Sequence, residues 1–181
     1  MGLFGPPNID KLKSKKDITG LTKALGYKKD TNVRVSAIRA LGEIGDALAV
    51  EPLLDCLWDE RSTADAVILA LGKIRDQRAI EPLVQLIKRE IEDEQYFGST
   101  ACRNIGIAIS TLGLFGADSV DPLISLFPGA GKYRPQIIAA LGKTKSKIAV
   151  DWMINAYQGL RFVNRSLPNW EKAVMSEVWI H

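Results

Sequence analysis

Apolar positions in this chain fall three and four residues apart in short runs, and the runs come in pairs. In the clearest pair, Val33, Ala37, Ala40, Leu41 and Ile44 mark one stripe, and Val50, Leu53, Leu54 and Leu57 mark the next. That spacing predicts two amphipathic helices. Gly45-Asp46 stands between them. Glycine suits the left-handed residue that ends one helix, and aspartate suits the cap that starts another. Pro52 fits the first turn of the second helix, where a missing N–H leaves no bond unmade.

The pattern then recurs. Leu-Gly appears at 41–42, 71–72, 112–113 and 141–142. An acidic-Pro-Leu element opens the second helix of each pair as Glu51-Pro52-Leu53, Glu81-Pro82-Leu83 and Asp121-Pro122-Leu123, and as Asp151-Trp152-Met153 in the last. Successive units are spaced by thirty residues, apart from a step of forty between Glu81 and Asp121. The predicted pairs, an A helix followed by a B helix, are 30–45 with 47–59, 61–75 with 78–93, 97–116 with 118–127, and 132–143 with 147–158. Neither helix of a pair buries its stripe alone, whereas stacked pairs bury a continuous core. The expected fold class is all-α: an α-solenoid, a superhelical stack, forming one domain over 1–181. Residues 1–29 read as an N-terminal cap half-repeat. Helix pairs follow over 30–59, 60–93, 94–128 and 129–159, and a C-terminal capping helix over 160–181.

The stretches "VRVSAIRALGEIGDALAVEPLLDCL" and "YRPQIIAALGKTKSKIAVDWMINAY" resemble HEAT-like repeats of the phycobilisome-lyase type. Ala64 departs from that pattern where Arg34 and Arg134 keep it. The resemblance implies HEAT-like helix pairs. It covers binding scaffolds and bilin-attachment proteins alike, so a bilin or tetrapyrrole lyase-like subunit, or a chaperone of chromophore attachment, is the alternative it implies to a scaffold.

Candidate chemistry is sparse. The chain has one histidine, His181, and a terminal imidazole is poorly placed for a Ser-His-Asp or Cys-His arrangement. Cys56 and Cys102 form no metal spacing and read as reduced core residues. "PGAGKY" at 128–133 lacks a P-loop's first glycine, having Leu126 there, and has Tyr133 where Ser or Thr is required. The repeated glycines at 42, 72, 113 and 142 point to close helix approach in every unit. Arg34 and Arg134 are expected to brace the starts of A helices through carboxylates or carbonyls. No catalytic residue, metal or cofactor is expected.

Charge changes the picture locally. Residues 1–40 hold nine Lys/Arg against three Asp/Glu, residues 41–100 six against thirteen, and residues 101–181 nine against five, within a net charge of +3. A basic start could meet a nucleic-acid backbone, but the acidic row on the B helices argues against it. No signal segment is apparent, and the uncharged run Asn104–Ala117 is too short to span a bilayer. A cytoplasmic protein without membrane contact is expected.

The B helices leave a second stripe opposite their cores: Glu51, Asp55 and Trp58; Glu81, Gln85 and Lys88; Asp121 and Ser125; Asp151, Trp152, Asn155 and Gln158. In a curved stack these would line the concave surface, acidic along one edge. The expected function is a non-enzymatic protein–protein interaction scaffold, its partner a basic peptide or helix with Trp58 and Trp152 as anchors. Trp170 and Trp179 are expected to seal the C-terminal end. The extra residues near "EIEDEQYFGST" form either a longer B helix or a separate binding insertion.

Overall fold

The computed structural model describes residues 6–58, 61–97 and 103–163, with side chains described over 6–58, 63–93 and 104–156. Its fold class is an all-α solenoid of helix pairs, and no strand occurs among the described residues. Contacts divide it into two compact units, Met1–Pro82 and Leu83–His181.

The first unit contains α1 (Ile9–Ser14), α2 (Ile18–Leu25), α3 (Thr31–Ile44), α4 (Val50–Leu57) and α5 (Arg61–Ile74). Its end carries the first turn of α6 (Ile80–Phe97). Within this unit α1 and α2 pack on α3, α3 packs on α5, and α4 packs on α5. Leu21, Ile38, Leu41, Leu53, Ile68 and Leu71 are fully buried between them. The helices α1 and α2 are short, with six and eight residues. The second unit holds the rest of α6, then α7 (Arg103–Leu112), α8 (Val120–Leu126), α9 (Arg134–Lys143) and α10 (Lys147–Val163). There α9 packs on α7, α8 and α10.

Gly42 and Gly113 have the steric reason their repetition suggested. A Cβ on Gly42 would lie 2.7 Å from the Cα of Ala70, and one on Gly113 would lie 2.7 Å from the carbonyl oxygen of Ala140. Each glycine lets one A helix press against the next.

The arginines brace helix ends through carbonyls. Arg34 is buried and donates from Nε to the carbonyl of Leu25 at 2.8 Å. Arg134 donates to the carbonyls of Phe127 at 3.2 Å and Pro128 at 3.1 Å. In both cases a cation satisfies carbonyls at the C-terminal end of the preceding B helix, where the macrodipole favours positive charge. Tyr133 is buried, and the Arg134 guanidinium lies 5.3 Å from the centre of the Phe127 ring.

Several boundaries differ from expectation. Gln95, Tyr96 and Phe97 belong to α6, so the acidic insertion lengthens that helix through Phe97. The third A helix begins at Arg103, not 97; residues 98–102 lie outside the described residues. Residues 160–163 continue α10, and the proposed capping helix, with Trp170 and Trp179, lies otherwise outside the described residues. One segment, Asn104–Leu126, is long and apolar enough by composition to cross a bilayer. It is two helices: Gly116, at φ 69° and ψ −139°, breaks it, and Asp118 and Asp121 are exposed.

The A-to-B corners share one device. The residue three past each repeated glycine has positive φ: Gly45 at 74°, Arg75 at 57°, Gly116 at 69° and Lys145 at 53°. Lys16, at 51°, does the same between α1 and α2. A left-handed turn lets the chain reverse immediately after an A helix. Glycine adopts it freely, while an L side chain costs about 1 kcal/mol there. Asp46 and Asp76 then cap the one-turn 3₁₀ segments that lead into α4 and α6, accepting from the N–H groups of Leu48 at 2.9 Å and Arg78 at 3.0 Å.

Candidate functional site

The stripe opposite the B-helix cores faces solvent. On α4, Val50, Leu53 and Leu57 are buried, and Cys56 joins them where Leu54 had been expected; Leu54 is half-buried. Glu51 and Asp55 are exposed, and Trp58, at the C-terminal end of α4, is 45% exposed. Glu81 is exposed at the start of α6. In the second unit, Gln85 and Lys88 of α6, Asp121 and Ser125 of α8, and Asp151 and Asn155 of α10 are exposed. Trp152 is half-buried, and the side chain of Gln158 lies outside the described residues.

Two of these residues meet at a groove. Lys88, Ile91 and Glu92 of α6 and Ser125, Leu126 and Gly129, from α8 and the turn after it, line an open depression of about 270 Å³. Lys88, Ile91 and Glu92 share one helical face at i, i+3 and i+4. The floor is apolar, with a cation and a carboxylate one turn apart on the α6 wall. The Ser125 hydroxyl donates to the carbonyl of Pro122 at 2.7 Å, which leaves its oxygen lone pairs to accept. Ile91, Glu92, Leu126 and Gly129 were absent from the predicted stripe. For Ile91 and Glu92 the signal was available in the i+3 and i+4 offsets from Lys88, in the segment set apart as an insertion. Asp121, Asp151 and Asn155 do not line this groove.

The expected acidic edge is partly neutralised inside the first unit. Arg78 donates to Glu51 at 3.0 Å, to the carbonyl of Ala47 at 2.9 Å and to both Asp76 carboxylate oxygens at 2.9 Å each. It ties one corner to its neighbour. Arg78 side-chain and backbone hydrogen bonds hold the Asp76 carboxyl below the usual carboxylate range. The side-chain hydrogen bonding to Asp76 raises the Arg78 guanidinium. Arg78 stands thirty residues after Leu48, which is itself exposed. A tie made in only one repeat leaves no periodic signal.

A second ladder crosses the A helices. Lys13 pairs with Glu43, and Lys73 lies 3.8 Å from the other oxygen of Glu43. The three residues are thirty apart. The hydrogen bond from Lys13, followed by its charge, lowers the Glu43 carboxyl, and the hydrogen bond to Glu43 raises Lys13.

The aromatic candidates behave differently. Trp152 packs edge-on against Phe127, with ring centres 5.0 Å apart and planes at 78°. One side of that ring is therefore spent on the neighbouring helix pair, and less of it faces outward than expected.

Among the described residues, no group of three His, Cys, Asp or Glu side chains is placed to hold a metal ion. Cys56 is buried in the core, and Cys102 lies outside the described residues. Residues 18–96, from α2 to the end region of α6, match the family model of HEAT repeats. No curated protein matches the chain. The match is to HEAT repeats as a class and does not distinguish the phycobilisome-lyase type. HEAT repeats generally act as protein-interaction scaffolds and are generally non-enzymatic.

Proposed function

We propose that this chain is a non-enzymatic scaffold that holds a protein partner on the solvent-facing stripe of its B helices. The observation that carries the reading is the groove between α6 and α8, in which Lys88 and Ser125 from that stripe meet an apolar floor of Ile91 and Leu126. At about 270 Å³ and open to solvent, it is smaller than the cavities that enclose drug-sized ligands, which run from about 300 Å³ upward. It suits one or two side chains of a longer polymer lying across it. Glu92 calls for a cation on that partner and Lys88 for a carboxylate or carbonyl, one helical turn apart. A short peptide helix or strand offers both while backbone contacts extend along the neighbouring stripe.

The test is selection of 16-residue peptides from a random display library on the purified chain, followed by affinity measurement against variants. Lys88→Glu with Ser125→Arg is expected to weaken the selected peptides at least tenfold. Leu69→Arg, on the exposed outer side of α5, is expected to leave binding unchanged. The opposite order of effects would place the interaction on the A helices and refute the reading.

A further inference from the structure

Three residues other than glycine have positive φ among the described residues, and all three are basic: Lys16, Arg75 and Lys145. All three are exposed. Each sits at a helix-pair corner where glycine would meet the torsional requirement without strain, as Gly45 and Gly116 do. Asparagine would be the usual second choice. A cation there gains something from the helix macrodipole, but the same corners already carry other cations: Lys15 beside Lys16, and Lys73 in the last turn of α5 before Arg75. Strained positions held by one residue type, outside any need of the fold, point to a role for that side chain.

In the first unit these corners line one edge. The ladder of Lys13, Glu43 and Lys73 and the tie from Arg78 to Ala47 and Glu51 run from corner to corner. These contacts occupy Lys13, Lys73 and Arg78. Among the described residues, the ammonium groups of Lys15 and Lys16 and the guanidinium of Arg75 meet no carboxylate within the first unit.

We propose that the corner edge of Met1–Pro82 binds an acidic peptide segment, with Lys16 and Arg75 as its two principal cations. Helices in contact lie about 8–10 Å apart. From the α1–α2 corner to the α5–α6 corner is two such steps, about 20 Å. An extended peptide covers that distance in about six residues. The matching ligand therefore carries acidic side chains about six residues apart in an extended chain. A continuous phosphate backbone fits less well, because Glu43, Asp46 and Asp76 stand on the same edge between the cations. A peptide can place neutral residues opposite those carboxylates, and a polyphosphate cannot. This site is separate from the groove of the second unit and does not depend on it.

The experiment uses the full chain and three probes: a 12-residue peptide with glutamates at positions 3 and 9, its lysine counterpart, and a 12-nucleotide single-stranded oligonucleotide. Binding is followed by fluorescence anisotropy at low and physiological salt. Lys16→Gly with Arg75→Gly removes both cations and relieves both strained torsions. It is expected to weaken the glutamate peptide about fivefold, the upper range for exposed ion pairs, while the thermal midpoint holds or rises. Lys28→Gly with Lys29→Gly removes the same charge from the opposite end of α2 and is expected to leave peptide binding within twofold. Equal losses in the two variants would reduce the effect to net charge and overturn the proposal. So would tighter binding of the oligonucleotide than of the glutamate peptide, or unchanged binding in the corner variant.

Discussion

The two corners at Gly45 and Arg75, in Met1–Pro82, are built alike. Each has a left-handed residue, then an aspartate that accepts from the N–H two positions on, then a single 3₁₀ turn into the next helix. The corner at Gly116, in Leu83–His181, keeps only the left-handed residue. Ala117 stands where the aspartate would be, Ser119 instead donates to the Gly116 carbonyl at 2.9 Å, and the 3₁₀ segment runs from Gly113 to Ser119. The helix that follows, α8, has seven residues, against eighteen in α6. Uniform corners hold successive repeats in register, so ties at thirty-residue spacing can form between Lys13, Glu43 and Lys73. Unequal B helices leave part of α6 beyond the reach of α8, and the groove lies along that mismatch. Regular repetition ties the first unit corner to corner, and the departure from it leaves an open groove in the second.

The largest expected effect falls on what both units share. Gly42→Val and Gly113→Val each force a side chain into backbone atoms 2.7 Å away. Each should destabilise by about 3 kcal/mol, the upper range for overpacking, read from chemical denaturation. A much smaller loss at Gly113 would show that the second unit tolerates wider helix spacing than the first.

Next come the arginine braces, which separate the units. Arg34→Met should cost about 2 kcal/mol, because it strands a buried carbonyl. Arg134→Met should cost about 1 kcal/mol, because water can replace the half-buried guanidinium there. Equal losses would show that burial does not separate the two braces.

A third substitution acts in the opposite direction. Gly106 lies inside α7, and a Cβ there meets nothing within 4 Å. Gly106→Ala should stabilise by about 0.5 kcal/mol through helix propensity. A loss instead would mean that this glycine, like Gly42 and Gly113, makes room for a neighbour.

The smallest effect is the pH dependence of the first unit. Asp76 and Glu43 have carboxyl pKa values below their ordinary positions in the folded chain. Their contribution is present above the unfolded values, about 3.9 and 4.3, and is lost as pH falls through the lower folded values. Lys13 runs the other way. Its contribution is complete below about 10.4 and disappears as pH rises past its raised value. All three groups sit at the surface, so the effect should be slight and reduced by salt. Arg78→Gln should flatten the acid limb of the denaturation midpoint, and an unchanged limb would show that Asp76 gains nothing from the tie.

What could be read from the chain followed periodicity. Helix pairs, corners, the close approach at Gly42 and Gly113, and the carbonyl braces of Arg34 and Arg134 all recur, and recurrence marks packing. What could not be read occurs once. Arg78 reaches back to Glu51 in a single repeat. Arg75 and Lys145 adopt torsions that propensity assigns to glycine, because corner geometry overrides local preference. Tyr96 and Phe97 continue α6 past the point where their neighbour Gly98 suggested a turn. The exposed B-helix stripe was legible from its period, whereas its convergence into a groove at Lys88 and Ser125 depends on the unequal lengths of α6 and α8, which no single window contains.

The central claim is that the irregular half carries the binding surface. Hydrogen exchange of the chain with and without a display-selected peptide tests it directly. Slowed exchange concentrated in 85–93 and 120–129, with little change in 31–44 and 63–74, is the predicted result. Protection spread over α3 and α5 with none along α6 and α8 would contradict it.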